Sequence, residues 1–242
     1  MSPTNSKKLK YVPEHLALIP DGNRRWSSSH KLQLLNGYHM GVRKFVDVSI
    51  WAKGFGVKTL TVWALSTENI KNRSKTEMGI LYRLFVNAAY DPAIYQLLKD
   101  NNARIKIIGN SNLLPKKVKL ALQSIENKTK RYTDFTINLL IGYGGRDDML
   151  YAFKKIYNYA IQGKINGITE DIVNENMRTA SIPDVDFIIR TSGEMRLSGF
   201  LPWQSGYSEL YFAKKYWPDF GKKDLEKALK VFSERQRRFG GR

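Results

Sequence analysis

The sequence predicts a single α/β domain built on a mostly parallel sheet with helices on both faces. Three observations carry that reading. Apolar runs of strand length alternate along the chain with runs of helical spacing, the order that yields parallel strands joined by helical crossovers. The run at 57–65 is apolar and β-branched enough for a strand buried in a sheet covered on both sides. No internal repeat and no Pro/Gly/Ser linker breaks the series, so the 242 residues read as one domain.

The elements follow in order. Residues 1–13 are polar and lysine-bearing and read as a flexible tail, leaving 14–242 as the folded domain. Leu16-Ala17-Leu18-Ile19-Pro20 is a short buried strand. It opens into Asp21-Gly22-Asn23-Arg24-Arg25-Trp26, where proline fixes φ and glycine permits a sharp exit. Residues 27–36 read as irregular. Val42, Phe45, Val46 and Ile50 then mark a helix over 37–53 that Gly54 and Gly56 end. Residues 57–65 are the next buried strand, stopping at Ser66-Thr67-Glu68-Asn69. A helical pattern over 77–98 follows, interrupted at Asp91-Pro92, with Met78, Leu81, Leu84, Phe85, Ala88 and Ala89 on a broad apolar side. Strands are predicted at 104–109, 135–141, 186–190 and 209–212, and helices at 115–130, 147–162 and 222–235. Thr169 caps a short helix with Glu170 and Asp171 in its first turn.

Composition narrows the function. Hydrophobic content of 42% fits an ordinary globule, and no apolar run approaches the roughly 20 residues of a membrane span. The start lacks the apolar core of a signal peptide. There is no cysteine, which excludes disulfides and thiolate metal sites and suits a cytoplasmic protein. The net charge of +18 attracts polyanions: nucleic acid, anionic lipid or small phosphorylated substrates. The three histidines, His15, His30 and His39, show no metal-ligand spacing, and His15 reads as a packed strand residue. Neither a P-loop nor a Gly-x-Gly-x-x-Gly fingerprint is present, and Ser66 lacks nucleophile-elbow glycines. Asp147 and Asp148 read as charges at a helix N-terminus.

The arginines decide between the polyanions. The strands ending at Ile19, Leu65, Ile141 and Ile189 all run into polar, glycine-containing or arginine-bearing loops. In a parallel sheet those ends share one edge, where ligands of open α/β sheets sit. The convergence gathers Asp21, Asn23, Arg24, Arg25, Glu68, Asn69, Arg146, Arg190 and Arg196. Guanidiniums fork onto phosphates, and a carboxylate among them can hold Mg²⁺, so the set suits one or two diphosphates. The apolar side of the 77–98 helix, with Val62, Ala64, Ile137 and Leu139, offers lining for an elongated cavity. An anionic head with a hydrocarbon tail fits both halves.

Five ordered stretches carry a resemblance: Ile19 to Trp26, Ser66 to Asn69, Tyr143 to Arg146, Asp186 to Glu194, and Trp203-Gln204 through Glu209 to Phe212. Together they resemble the cis-prenyltransferase (undecaprenyl diphosphate synthase) family over about residues 14–241. Arg237-Arg238-Phe239-Gly240-Gly241 is similar to that family's closing Arg-x-Gly motif. The resemblance implies a six-stranded parallel sheet, a hydrophobic tunnel, a homodimer, Mg²⁺, and elongation of an allylic diphosphate by isopentenyl diphosphate with a new Z double bond. It implies that Asp21 positions Mg²⁺ and that Glu209 shares the metal. Gly22, Asn23, Arg24, Arg25, Trp26 and Arg73 would hold the allylic diphosphate, while Ser66, Glu68 and Asn69 orient the reacting ends. Arg190, Arg196 and Ser198 would bind isopentenyl diphosphate, and Arg238 and Gly240 would complete the partner subunit's site.

The sequence departs from the family pattern at Tyr38, where a histidine is usual, at Leu34, where an arginine is frequent, and by one extra residue at Lys71-Asn72. A non-catalytic partner subunit is the second reading, but such subunits lack the carboxylate that Asp21 supplies. A nucleic-acid binder is the third, and the cations fall in strand-end loops rather than along a stacking-aromatic stripe. Surplus lysine instead suits contact with an anionic membrane surface.

Overall fold

The computed structural model describes residues 9–235 of the 242-residue chain. Six strands, β1 (His15–Ile19), β2 (Thr59–Ser66), β3 (Ala103–Ile108), β4 (Phe135–Tyr143), β5 (Phe187–Arg190) and β6 (Glu209–Phe212), form one sheet in the order β3-β4-β2-β1-β5-β6. Every pairing is parallel. The fold is therefore a single α/β domain on a six-stranded, wholly parallel sheet. Around it stand α1 (Asn23–Ser29), α2 (Leu34–Gly54), α3 (Thr67–Asn72), α4 (Lys75–Tyr90), α5 (Pro92–Asp100), α6 (Lys116–Thr129), α7 (Gly145–Ile161), α8 (Glu170–Asn176) and α9 (Lys222–Glu234).

β1 lies in the middle and is buried along its whole length. Alternate residues serve opposite faces of the sheet. Leu16 and Leu18 enter the cluster that includes Val48, Leu60, Phe187 and Trp217. Ala17 and Ile19 enter another with Ile188, Phe200 and Leu201. A third cluster joins Leu81 and Leu84 of α4 to Val118 and Leu122 of α6 and to Leu65 and Ile141 of the sheet. Leu9 and Val12, ahead of β1, pack against the first cluster.

The topology also places the site. β1 is followed by a crossover toward β2, and its other neighbour β5 by one toward β6. The chain thus leaves adjacent strands in opposite directions, which opens a crevice at their carboxyl ends. Ile19 is paired with Arg190 at that edge.

Two stretches fold differently from the sequence reading. Residues 27–36, expected to be irregular, begin inside α1 and end inside α2. α1 has no side-chain cap, no acidic first turn and only Trp26 and Ser27 buried, so no local signal announces it. It forms because it docks on α2: a Cβ added at Gly37 would stand 2.2 Å from Ser27 Oγ. The 77–98 pattern resolves into two helices, with Asp91 capping α5 by accepting from the N–H of Ala93 at 2.8 Å and Pro92 in its first turn. Thr169 caps α8 as expected.

His15 is a packed strand residue. Its Nε2 meets Thr61 Oγ1 at 2.7 Å, and its Nδ1 lies 2.9 Å from Pro183 O and 3.1 Å from Asp184 O. Those carbonyls only accept, so Nδ1 carries the proton and Thr61 donates to Nε2; Asn138 in turn donates to Thr61 at 3.0 Å. Burial holds the imidazole below its usual pKa, against the opposing pull of Asp184 and Asp186. The unfolded chain therefore binds this proton more readily than the folded one, so stability falls as pH drops below the ordinary histidine value of about 6.5. Between about pH 7 and pH 5.5, the melting temperature of the natural protein is expected to fall more steeply than that of His15→Asn. Parallel calorimetric profiles for the two proteins would show that this histidine does not set the slope.

Candidate active site

The turn after β1 is built for one residue type. Gly22 has φ of +105°, and a Cβ there would stand 2.8 Å from the Tyr216 ring and 3.1 Å from Ser192 Oγ. This close approach lets the carbonyl of Asp21 accept from the N–H of Trp217 at 2.9 Å and from Thr191 Oγ1 at 2.7 Å. The backbone that carries the Asp21 carboxylate is thus fixed from two sides.

A closed circuit of charge surrounds that carboxylate. Arg190, buried at the end of β5, donates to Asp21 Oδ2 at 2.9 Å. Arg25 donates to Asp21 Oδ1 at 3.2 Å and to Glu194 Oε1 at 2.6 Å. Glu194 takes Arg196 on its other oxygen. Arg190 closes the circuit by donating to the Arg196 carbonyl and to Ser198 Oγ, the latter at 3.0 Å. Hydrogen bonds from Arg25 and then Arg196 hold the Glu194 carboxyl below the usual carboxylate range. Tyr216 lies under the Arg25 guanidinium, 5.8 Å from ring centroid to Cζ.

Behind this circuit lies a cavity of about 420 Å³. Its mouth carries Asp21, Asn23, Ser66, Glu68, Asn69, Arg73, Arg190 and Ser198, and its interior Val42, Phe45, Val62, Ala64, Leu81, Leu84, Phe85, Ala88 and Leu139. An outer cleft lined by Arg24, Arg25, Ser28 and Tyr216 shares Asp21, Asn23, Tyr38 and Arg73 with that mouth. α3 begins at the mouth because Ser66 Oγ accepts from the N–H of Asn69 at 2.9 Å.

At the junction of cleft and cavity, Tyr38 donates from its hydroxyl to Glu77 and accepts from Arg73 Nη1 at 2.9 Å. Arg73 Nε also faces Glu77 at 3.4 Å, and Arg24 reaches the other Glu77 oxygen at 3.8 Å. Burial pushes the Tyr38 phenol well above its usual pKa, so it stays a neutral donor.

The expected residues are sorted by this geometry. Asp21, Gly22, Asn23, Arg24, Arg25, Ser66, Glu68, Asn69, Arg73, Arg190 and Ser198 line the cavity or the cleft. Arg196 joins them through Glu194, with its own side chain 60% exposed. Of the expected apolar lining, Val62, Ala64, Leu81, Leu84, Phe85, Ala88 and Leu139 face the cavity, while Met78, Ala89 and Ile137 do not. Trp26 is a correction: its indole is buried, stacks on His30 and donates to Asp219 at 2.8 Å, because it is the residue that pins α1 to the body. Glu209 is another. It opens β6 beside Phe187, at the amino edge of the sheet, where Arg235 takes its carboxylate, so one chain does not bring it to Asp21. Arg146 is exposed and lines neither space. Asp148 is more than a helix-terminal charge: buried, it accepts from Arg178 N–H and Thr179 Oγ1, each at 2.6 Å. Arg238 and Gly240 lie outside the described residues. Glu77 and Glu194 were missed. Arg73 stands ahead of α4, so its pairing with Glu77 at 3.4 Å is not a helix-face pattern, and Glu194 closes the Asp186–Glu194 stretch without any periodic signal of its own.

The donors suit a magnesium ion of one kind. Mg²⁺ in phosphate sites takes one or two carboxylates plus phosphate oxygens. Asp21, 28% exposed where cleft and cavity meet, offers such a carboxylate. No group of three acidic or histidine side chains among the described residues forms a full protein cage.

Residues 19–240 match the prenyltransferase family described as undecaprenyl diphosphate synthase. The chain is 42% identical over 230 residues to the isoprenyl transferase of Thermotoga maritima, covering 95% of this chain and 97% of that one. It is 40% identical to the tritrans,polycis-undecaprenyl-diphosphate synthase (geranylgeranyl-diphosphate specific) of Methanocaldococcus jannaschii, covering 95% and 83%. The chain belongs to the undecaprenyl diphosphate synthase family. Its fold is similar to that of lavandulyl diphosphate synthase from Lavandula x intermedia in complex with dimethylallyl diphosphate, with a TM-score of 0.90, 33% identity and coverage of 95% and 98%.

Within this family of prenyltransferases, two of the chain's three departures lie together. Leu34 packs beside Tyr38 in the cluster formed with α4 and α6. A Gly22→Ala variant tests how tightly the rim is built. Its positive φ and the contact with Tyr216 are expected to cost about 1–3 kcal/mol in urea unfolding, whereas Gly54→Ala, in open space, should cost far less.

Proposed function

We propose that the protein condenses isopentenyl diphosphate with an allylic prenyl diphosphate to give a Z-prenyl diphosphate and inorganic diphosphate. The observation that carries this reading is the apolar cavity placed directly behind a rim of guanidiniums. A hydrocarbon tail enters the cavity while its diphosphate stays at the mouth. The bond from the allylic carbon to diphosphate breaks, the isopentenyl alkene supplies the electron pair for the new carbon–carbon bond, and a proton leaves the isopentenyl unit. No protein nucleophile is needed; the protein supplies orientation and charge stabilisation.

In this reading Asn23, Arg24, Arg25 and Arg73 hold the allylic diphosphate, and Arg190, Arg196 and Ser198 the isopentenyl one. Ser66, Glu68 and Asn69, at the start of α3, orient the two chains beside the cavity mouth. Asp21 would hold Mg²⁺ beside the diphosphates, where the ion would supply countercharge to the departing group. The enzyme reading is favoured over a non-catalytic subunit because Asp21 and its arginines are all in place.

Purified protein given labelled isopentenyl diphosphate, dimethylallyl diphosphate and Mg²⁺ is expected to form an organic-extractable labelled prenyl diphosphate. Asp21→Ala should lower turnover about 10²–10³-fold, as the loss of one preorganised electrostatic group does. A folded natural protein that makes no labelled product with any allylic primer would reject the assignment.

The homodimer is part of the same reading. Leu150, Phe153, Tyr157 and Ile161 are 51–67% exposed on α7. Their spacing keeps them on one side of the helix, a stripe of the kind that a partner covers. Sedimentation should show a dimer for the natural protein and a monomer for Phe153→Glu/Tyr157→Glu. The net charge of +18 supports peripheral contact with an anionic membrane, and no helix among the described residues is long and apolar enough to cross one.

A further inference from the structure

Glu194 holds a position that the reaction itself does not explain. One carboxylate oxygen is hydrogen-bonded to Arg25 at 2.6 Å and the other to Arg196. These are the arginines assigned to different diphosphates, Arg25 on α1 after β1 and Arg196 in the loop after β5. The same loop carries Ser198, which accepts from Arg190. Gly193, just before Glu194, has φ of +73° and open space where a Cβ would be. In the free protein a single side chain therefore occupies both anion-binding halves as an internal counterion.

We propose that Glu194 couples the two diphosphate sites, so that filling one makes the other easier to fill. The inference rests on the diphosphate reading of the site. A diphosphate arriving at Arg25 competes with Glu194 for the guanidinium and repels its carboxylate. Because the two oxygens of one rigid carboxylate are used on two arginines, a displacement from Arg25 also breaks the geometry at Arg196. The cost of opening the bridge is met by whichever ligand binds first, and the second ligand finds its arginine already released. Such cost-sharing gives positive coupling, and the coupling is the same in either order. Glu194 is a positioning residue in this scheme: it touches the arginines, not the reacting carbons.

The test is a binding cycle on the whole chain by calorimetry. Isopentenyl diphosphate is titrated with and without saturating dimethylallyl S-thiolodiphosphate, a primer whose bridging oxygen is replaced by sulfur so that it does not react. For the natural protein the first ligand should tighten the second about fivefold or more. In Glu194→Gln and in Glu194→Ala the ratio should fall toward one, while each ligand alone binds at least as tightly as to the natural protein. Glu194 stands in a loop, half-buried and outside the apolar clusters, so both variants are expected to fold, and their melting curves check this. The same ratio in all three proteins, with both ligands binding, overturns the coupling and leaves the prenyltransferase reading intact. Failure of either ligand to bind the natural protein overturns both.

Discussion

A buried guanidinium sets the terms for the whole site. Arg190 is 5% exposed, and a charge in that position costs several kcal/mol unless it is paired and hydrogen-bonded. Asp21 supplies the pairing, and Ser198 and the carbonyl of Arg196 supply the remaining acceptors. Because the two charged residues sit at the ends of neighbouring strands, the pairing clamps β1 to β5 where the chain leaves them in opposite directions. The loop after β5 is folded back over the same guanidinium. Arg190 Nε is buried and without a hydrogen-bond partner in the structure, so a donor is left over after the fold has been satisfied.

That arrangement is possible only because backbone and side chain come unusually close around it. Gly22 lets the chain turn against Tyr216, Gly37 lets α1 lie on α2 at Ser27, and a Cβ at Gly41 would stand 2.5 Å from the Asn23 side-chain oxygen. Trp26 then fixes the short helix from behind through Asp219, and Trp217 holds α2 by donating to the carbonyl of Gly41 at 2.9 Å. Trp26 thus belongs to the frame, and the polar residues in front of it belong to the site. This explains why a tryptophan that stands in the signature stretch does not line the cavity.

How much of this was legible in the sequence follows from the range of the forces. The sheet was legible because a strand buried on both faces is written as a near-continuous apolar run, as in Leu16 to Ile19 of β1. The rim was legible because parallel strands bring their ends together whatever the loops contain, and Asp21, Asn69 and Arg190 meet there. α1 was not legible, since it has neither cap nor apolar period and exists by packing. The circuit through Glu194 and the buried Glu77 were not legible either. Each depends on residues tens to more than a hundred positions apart, Arg25 with Glu194 and Tyr38 with Glu77, and pairing at that distance leaves no periodic trace. Glu209 stands apart for the opposite reason: its motif is local, but its strand register puts it at the far edge from Asp21 in the same chain.

The charge balance of the two networks bears on how the site works. Arg25, Arg190 and Arg196 face Asp21 and Glu194, while Arg24 and Arg73 face Glu77. Five guanidiniums against three carboxylates leave a small surplus, which lets so many like charges sit together without strong self-repulsion. Two diphosphates bring more negative charge than that surplus offsets. The site can accept both only if the internal carboxylates move aside or further countercharge enters with the substrates. Asp21 and Glu194 answer these two needs differently. Asp21 is held on a backbone fixed by Trp217 and Thr191, so in the proposed reading it is the carboxylate that would meet incoming countercharge. Glu194 follows Gly193 in an open loop and is the carboxylate free to leave. Holding one acid rigid and the other releasable, within a single circuit, lets a rim that is nearly neutral when empty become strongly cationic when its substrates arrive.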